Sequence, residues 1–215
     1  MSATILFWRH GQTDYNAQGR LQGQVDIPLN EVGRAQALAA APALSQIEPV
    51  AIISSDLVRA RDTAEYLAER TGVAVSTDAR LRERNFGAWE GLTHEEMRAG
   101  WADAFAVWRD GGHPAGIGAE TRSALGQRVA QAAAEASAGY EEGGVVVLVA
   151  HGAAISAGLV ALLGHDPETW HGITGIGNCH WSVVRPNNGA EPGWRMTAHN
   201  AGGGLVDFPQ GARIV

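Results

Sequence analysis

Three stretches of the chain set residues able to hold an anion beside residues that constrain the backbone. Arg9-His10-Gly11-Gln12-Thr13 follows a short apolar run. Arginine offers a rigid fork of donors, a neutral imidazole offers one free nitrogen, and glycine lets other backbone approach closely. Asn16 and the Gln22-Gly23 pair belong to the same long loop and add neutral polar groups. Ser55-Asp56-Leu57-Val58-Arg59-Ala60-Arg61 opens a helical pattern, and a helix N-terminus presents free N–H groups and a positive dipole end. Arg59 and Arg61 fall near that first turn on different faces, and the alternative for each is a solvated helix arginine. His151-Gly152 closes the set, after the most apolar run in the chain. A lone histidine is more often structural than catalytic, so the weight rests on several such groups converging.

Lysine takes no part. All 16 basic residues are arginine among the 215 of the chain. That excludes a P-loop lysine, a pyridoxal phosphate Schiff base and a Ser–Lys pair. A bound phosphate must then be held by arginine, histidine or backbone N–H groups. The net charge of −7 argues against a nucleic-acid partner or an anionic membrane surface, so a cationic site must be assembled by the fold. The only cysteine, Cys179, allows no internal disulfide, and a cytoplasmic setting is expected. The N-terminal apolar run is short and breaks at Arg9, unlike a signal peptide, and no stretch approaches the ~18 apolar residues of a membrane span. The eight histidines are scattered without a paired ligand motif, so no metal is expected. No Gly-x-Ser-x-Gly elbow supports a serine hydrolase.

Periodicity supplies the elements that must position these groups. Residues 4–8 and 145–150 read as buried strands, 50–53 and 73–76 as further strands, and 180–185 with 194–198 as a late hairpin. One helix is expected from an Asn30 cap to residue 44, trimmed by Pro42, and another from a Ser54-Ser55-Asp56 cap to residue 70. Two more are expected over 120–139 and 153–163. Alternating strands and helices predict an α/β fold, a three-layer α/β/α sandwich on a mostly parallel central sheet. A single domain over 1–215 is expected, with 84–118 as an irregular pocket or lid segment. In such sheets ligands sit at the carboxyl ends of strands. Arg9-His10, Ser54-Ser55 and His151 each follow one.

Phe7-Trp8-Arg9-His10-Gly11-Gln12-Thr13 resembles the signature of the histidine phosphatase superfamily, which includes the cofactor-dependent phosphoglycerate mutases. Ser54-Ser55-Asp56-Leu57-Val58-Arg59-Ala60 is similar to its second arginine motif, and Leu81-Arg82-Glu83-Arg84-Asn85-Phe86-Gly87 to its acid motif. Val147-Leu148-Val149-Ala150-His151-Gly152 is similar to its second histidine motif, and Gly118-Ala119-Glu120-Thr121 more loosely to a helix start. The motifs run in family order over about the whole chain. The resemblance implies a phosphoglycerate mutase-like fold and a phosphohistidine mechanism without cofactor or metal. It casts His10 as the nucleophile, Arg9, Arg59 and His151 as phosphoryl ligands, and Glu83 as general acid and then base. Asn16, Gln22, Gly23 and Gly152 would line the pocket. The physics agrees, because phosphoryl transfer is mostly positioning and charge stabilisation. His10 must present a neutral nitrogen, its other N–H held by an acceptor, and Glu83 must carry a proton to the leaving group.

The expected reaction is hydrolysis of a small phosphate monoester. The stretch from Glu83 to His151 is short for a phosphoglycerate mutase, and Asn85-Phe86 replaces the mutases' His-Tyr. Arg84 matches the mutase pattern; it either grips a substrate carboxylate or is a surface arginine. A non-catalytic phospholigand-binding module is the alternative of another class, and it would lack His10, Glu83 or His151. Within the family, residues 9–22, 80–94 and 175–181 resemble actinobacterial glucosyl-3-phosphoglycerate phosphatases. That implies a phosphoglycerate-type substrate such as glucosyl-3-phosphoglycerate, and a homodimer. The chain departs at Ala153, where a second glycine is usual, and over 101–118. Core packing is the expected role of Trp89, Trp101 and Trp108, with sugar stacking the alternative. Arg128 is expected to be a structural ion-pair partner, and Cys179 a small buried residue.

Overall fold

A computed structural model describes residues 2–187 and 189–202. Strand β1 (Thr4–Arg9) leads into a short helix α1 (Asp14–Ala17), then α2 (Glu31–Ser45), β2 (Ala51–Ser54), α3 (Val58–Thr71) and β3 (Val75–Thr77). After α4 (His94–Gly100) and α5 (Ala102–Arg109) come α6 (Arg122–Ala138), β4 (Val145–Ala150) and α7 (Gly152–Leu162), and then β5 (Trp181–Pro186) and β6 (Trp194–Ala201). The sheet order is β3-β2-β4-β1-β5-β6. The first four strands are parallel, while β5 and β6 join antiparallel as the expected hairpin.

Strand alternation sends successive side chains to opposite faces. Ile5, Phe7, Val146 and Leu148 pack with α6 and α7 through Leu125, Val129, Ile155 and Leu159. Leu6, Trp8, Val147 and Val149 pack with α2 and α3 through Ala37, Leu44, Ala64 and Leu67. The result is the three-layer α/β/α sandwich. Both faces of β1 and β4 are buried, which is why these strands are continuously apolar. Each fully buried Leu, Ile or Val contributes about 1.5–3 kcal/mol, so this central pair is a rigid platform. Register places Arg9 beside Ala150 and Ser54 level with Val149. The residues after β1, β2 and β4 therefore leave the sheet at one edge.

Two helix expectations change. Pro42 does not trim α2, which continues to Ser45. The proline lies in its last turn, and the burial of Ala41 and Leu44 on either side holds that turn to the core. Helix α3 starts later than expected, at Val58 after a Leu57 cap with no side-chain bond. Asp26, from the long loop after α1, accepts from Val58 N at 2.8 Å instead. Asp56 is drawn off into a bidentate pair with Arg82. Segment 84–118 holds more regular structure than its sequence suggests. It contains a 3-10 turn (Gly87–Trp89), α4 opened by a Thr93–Glu96 capping box, and α5. Phe86, Trp89, Met97, Phe105 and Ile117 give it a core of its own.

Candidate active site

The carboxyl edge of the sheet carries a cavity of about 220 Å³, lined by Arg9, His10, Asn16, Gln22, Gly23, Arg59, Glu83 and Gly152, among others. Eight of the ten residues singled out in the sequence thus meet in one place. His151 is fully buried just behind it, its ring centroid 5.1 Å from that of His10. Arg84 lies elsewhere, on the wall of a larger neighbouring cavity.

His10 is 2% exposed. Its Nδ1 lies 2.7 Å from the Gly11 carbonyl, which accepts only and therefore takes the Nδ1 proton. Nε2 is left with its lone pair in the neutral ring. Burial, then the charge of Arg59, then that of Arg9 push the His10 pKa well below 6.5, so the neutral ring persists at physiological pH. The loop that carries it is held by Thr63, which accepts from Gly11 N at 3.1 Å and donates to the Arg59 carbonyl at 2.7 Å.

Arg9 leaves β1 with one guanidinium nitrogen donating to the Ile176 carbonyl, while its buried Nε has no partner. A buried unpaired donor is costly, and Arg9 is on the wall of the small cavity, where a bound anion would offset that cost. Arg59 is completely buried on the first turn of α3, and burial lowers its pKa to about 10, so it stays charged at neutral pH. Its Nη1 and Nη2 donate to the carbonyls of Val25 and Gly23 at 2.8 Å each, and Nε donates to His151 Nδ1 at 3.2 Å. His151 Nε2 must then carry the proton, which it shares with Ser55 Oγ at 2.8 Å. The Ser55 hydroxyl, read in the sequence as part of a helix cap, is used to fix a tautomer. Gly23 has φ +54, and a Cβ there would sit 2.1 Å from Glu90 Oε1. Only glycine brings this carbonyl onto Arg59. Arg61, by contrast, is exposed.

Glu83 is positioned by elements far from it in sequence. Its carboxylate accepts from Ala153 N at 3.1 Å, Ala154 N at 2.9 Å and Arg84 N at 2.8 Å. It thereby caps α7, whose N-cap residue His151 supplies no side-chain cap. Arg128 pairs with Glu120 at 2.7 Å, as expected, and also grips the carbonyls of Arg80, Arg82 and Glu83. It is a clamp on the acid loop that sequence reading did not find. Asn16 and Gln22 spend their carbonyl oxygens on Thr13, which leaves their amide N–H groups as donors for a ligand.

Arg84 is not a surface arginine. It is 2% exposed, donates to the Glu120 carbonyl at 2.7 Å, and lies over the Phe86 ring at 5.2 Å. Trp89 is fully buried, edge-on to Trp108 at 5.8 Å. Trp101 packs on the same cluster, and Trp108 also lines the larger cavity. Cys179 is buried, which pushes its thiol up to about 12 and leaves it inert as a nucleophile. Among the described residues no three His, Cys, Asp or Glu side chains gather in a metal-ligand arrangement, and no helix is long and apolar enough to cross a membrane.

A neutral buried imidazole with a free nitrogen, two guanidinium groups and a carboxylate around one small cavity can accept and release a phosphoryl group. Comparison with known proteins agrees with that chemistry. The chain is 42% identical over 209 residues to the glucosyl-3-phosphoglycerate phosphatase of Mycobacterium tuberculosis, covering 92% of this chain and 94% of that protein. It is 37% identical over 186 residues to a probable phosphoglycerate mutase of Yersinia enterocolitica, covering 84% and 83%. A mycobacterial glucosyl-3-phosphoglycerate phosphatase solved with inorganic phosphate superposes with a TM-score of 0.82 at 40% identity, over 93% of this chain and 98% of that one. Residues 5–201 match the histidine phosphatase superfamily, branch 1, and the chain belongs to that superfamily.

Proposed function

We propose that the chain is a metal-independent phosphomonoesterase working through phospho-His10, on a phosphoglycerate-type substrate such as glucosyl-3-phosphoglycerate. The observation that carries this reading is the His10 ring. Its Nδ1 proton is committed to the Gly11 carbonyl, and Nε2 is kept unprotonated by burial beside Arg59 and Arg9. In the reaction, Nε2 attacks phosphorus while the ester oxygen departs and takes a proton from Glu83. Arg9 and Arg59 neutralise the phosphoryl oxygens. Water then attacks phospho-His10, gives its proton to Glu83, and phosphate leaves with His10 restored. The substrate class is supported by the 42% identical mycobacterial phosphatase. A cytoplasmic homodimer belongs to the same reading, on the family resemblance and on a single buried thiol.

His10→Ala tests it. The variant should lose hydrolysis of p-nitrophenyl phosphate by a factor of about 10³ or more, as removal of a covalent nucleophile does, and EDTA should leave the parent rate unchanged. Full activity in the variant would sink the proposal. Interconversion of 2- and 3-phosphoglycerate faster than phosphate release would establish a mutase instead.

A further inference from the structure

The turn that leads into β5 encloses the backbone of the nucleophile. Pairing of β1 with β5 runs to Trp8 opposite Trp181. The ladder then continues past the sheet edge, with Arg9 N donating to the His180 carbonyl at 2.9 Å and Cys179 N to the Arg9 carbonyl at 3.1 Å. It stops at Cys179, which lies in the left-handed region with φ 56. From there the backbone offers the His10 carbonyl only a longer contact, 3.3 Å from Cys179 N. A side chain completes the pattern: Asn178 Nδ2 donates to the His10 carbonyl at 3.0 Å. Its second hydrogen goes to Asn16 Oδ1 at 3.3 Å. Both partners only accept, so the Asn178 amide has one orientation.

Asn16 is fixed in turn. Its Oδ1 takes one hydrogen bond from Thr13 N at 3.1 Å and one from Asn178, which together use the two lone pairs of a carbonyl oxygen. The Asn16 N–H2 group therefore cannot change places with Oδ1, and Asn16 shares the wall of the small cavity with His10. We propose that Asn178 is a positioning residue: its one side-chain amide ties the backbone of the nucleophile to Asn16 and keeps the Asn16 N–H groups available as donors to the phosphate. The inference rests on the phosphatase reading above and adds to it a residue that does not line the cavity. Aspartate at this position has the same shape and, when ionised, no donor. Its carboxylate would face two carbonyl oxygens. That repulsion is relieved when Asn16 turns its N–H2 group toward the carboxylate, which sets the Asn16 oxygen against the anion instead. Alanine removes more atoms but brings in no acceptor, and it leaves Asn16 held by Thr13.

The experiment reads calorimetric binding of inorganic phosphate and kcat for p-nitrophenyl phosphate at saturation. Asn178→Asp should weaken phosphate binding about tenfold and lower kcat by a similar factor, as loss of a charge-assisted bond does. Asn178→Ala should cost about threefold in each. A side chain that only fills space gives alanine the larger loss, and an equal or reversed order of the two variants overturns the proposal. The second test is a double-mutant cycle with Asn16→Ala. In that background Asn178→Asp should weaken phosphate binding by about threefold at most, the part due to its own charge. The same loss in both backgrounds marks a role that does not pass through Asn16, and it also overturns the proposal. Should the aspartate variant not fold, Asn178→Ala carries the cycle, with about threefold loss from the parent and none from Asn16→Ala; equal losses again overturn it. Phosphate binding needs no turnover. A parent chain that binds phosphate with these factors yet hydrolyses no monoester would therefore count against the phosphatase reading alone.

Discussion

Arg59 has two tasks that are separable by pH. It holds the loop carbonyls of Gly23 and Val25, and its charge is the second cause, after burial, of the low His10 pKa. In the proposed mechanism protonation of Nε2 removes the nucleophile, so the acid limb of the rate profile marks the pH at which His10 takes up its proton. The low pKa places that limb below 6.5. Replacing Arg59 by Gln removes one opposing charge, and the His10 pKa rises toward its ordinary value. The acid limb of kcat/KM for residual p-nitrophenyl phosphate hydrolysis should then move to higher pH by about one unit, the usual scale of one close charge. A lower rate with an unmoved limb would mean that Arg59 acts only as a ligand and a strut. Sequence marked both Arg59 and Arg61 as candidates, and their relative position on α3 decides between them: Arg59 faces the sheet edge and Arg61 faces water.

At the scale of elements, the loop that follows His10 is held by a backbone contact with α2. A Cβ built on Gly33 would sit 2.0 Å from the Gln12 carbonyl oxygen, and one on Gly11 would sit 2.4 Å from the Gly33 carbonyl oxygen. Helix propensity alone makes Gly→Ala inside a helix favourable by about 1 kcal/mol. Here the clash is with backbone that cannot rotate away, and overpacking costs about 1–3 kcal/mol. Gly33→Ala should therefore lower the urea midpoint and, by shifting the loop after His10, lower kcat as well. A raised midpoint would show that the contact has slack. This contact is the kind of feature sequence conceals. The strand ends carrying Arg9, His10 and His151 were legible because apolar runs and the polar residues that end them are local. The Asn30 cap was legible for the same reason, and it accepts from Gly33 N at 2.9 Å. Glu83 was found only by family resemblance, since its anchor is the N-terminus of α7 some seventy residues on. Ser55 was legible as a polar residue at a strand end and as part of a helix cap, but its bond to His151 was not, because the two are adjacent only once β2 and β4 pair. Burial of Arg84 was likewise invisible, since Phe86 and Glu120 enclose it only in three dimensions.

At the scale of the molecule, the site makes stability depend on pH above the range in which most carboxylates titrate. His10 and His151 are both buried and neutral. Burial comes first for each, followed by the charge of Arg59; both pKa values lie well below the ordinary 6.5. In the unfolded chain each takes up a proton as pH falls through 6.5, while the folded chain refuses it. The unfolded state then binds more protons, and stability declines with falling pH. The contribution is intact above 6.5 and is lost progressively below it, at up to about 1.4 kcal/mol per pH unit for each histidine. Most carboxylates titrate only below about pH 5, so the range between 6.5 and about 5 isolates the histidines. Denaturant titrations of the parent chain at pH 7, 6 and 5.5 should show falling stability. His10→Gln, which keeps a polar side chain but cannot titrate, should flatten the slope by roughly half. A parent chain with level stability across that window would mean that the folded protein protonates these rings as readily as the unfolded one. The neutral nucleophile, on which the phosphohistidine chemistry depends, would then be lost at mildly acid pH together with the two-arginine anion site that keeps it neutral.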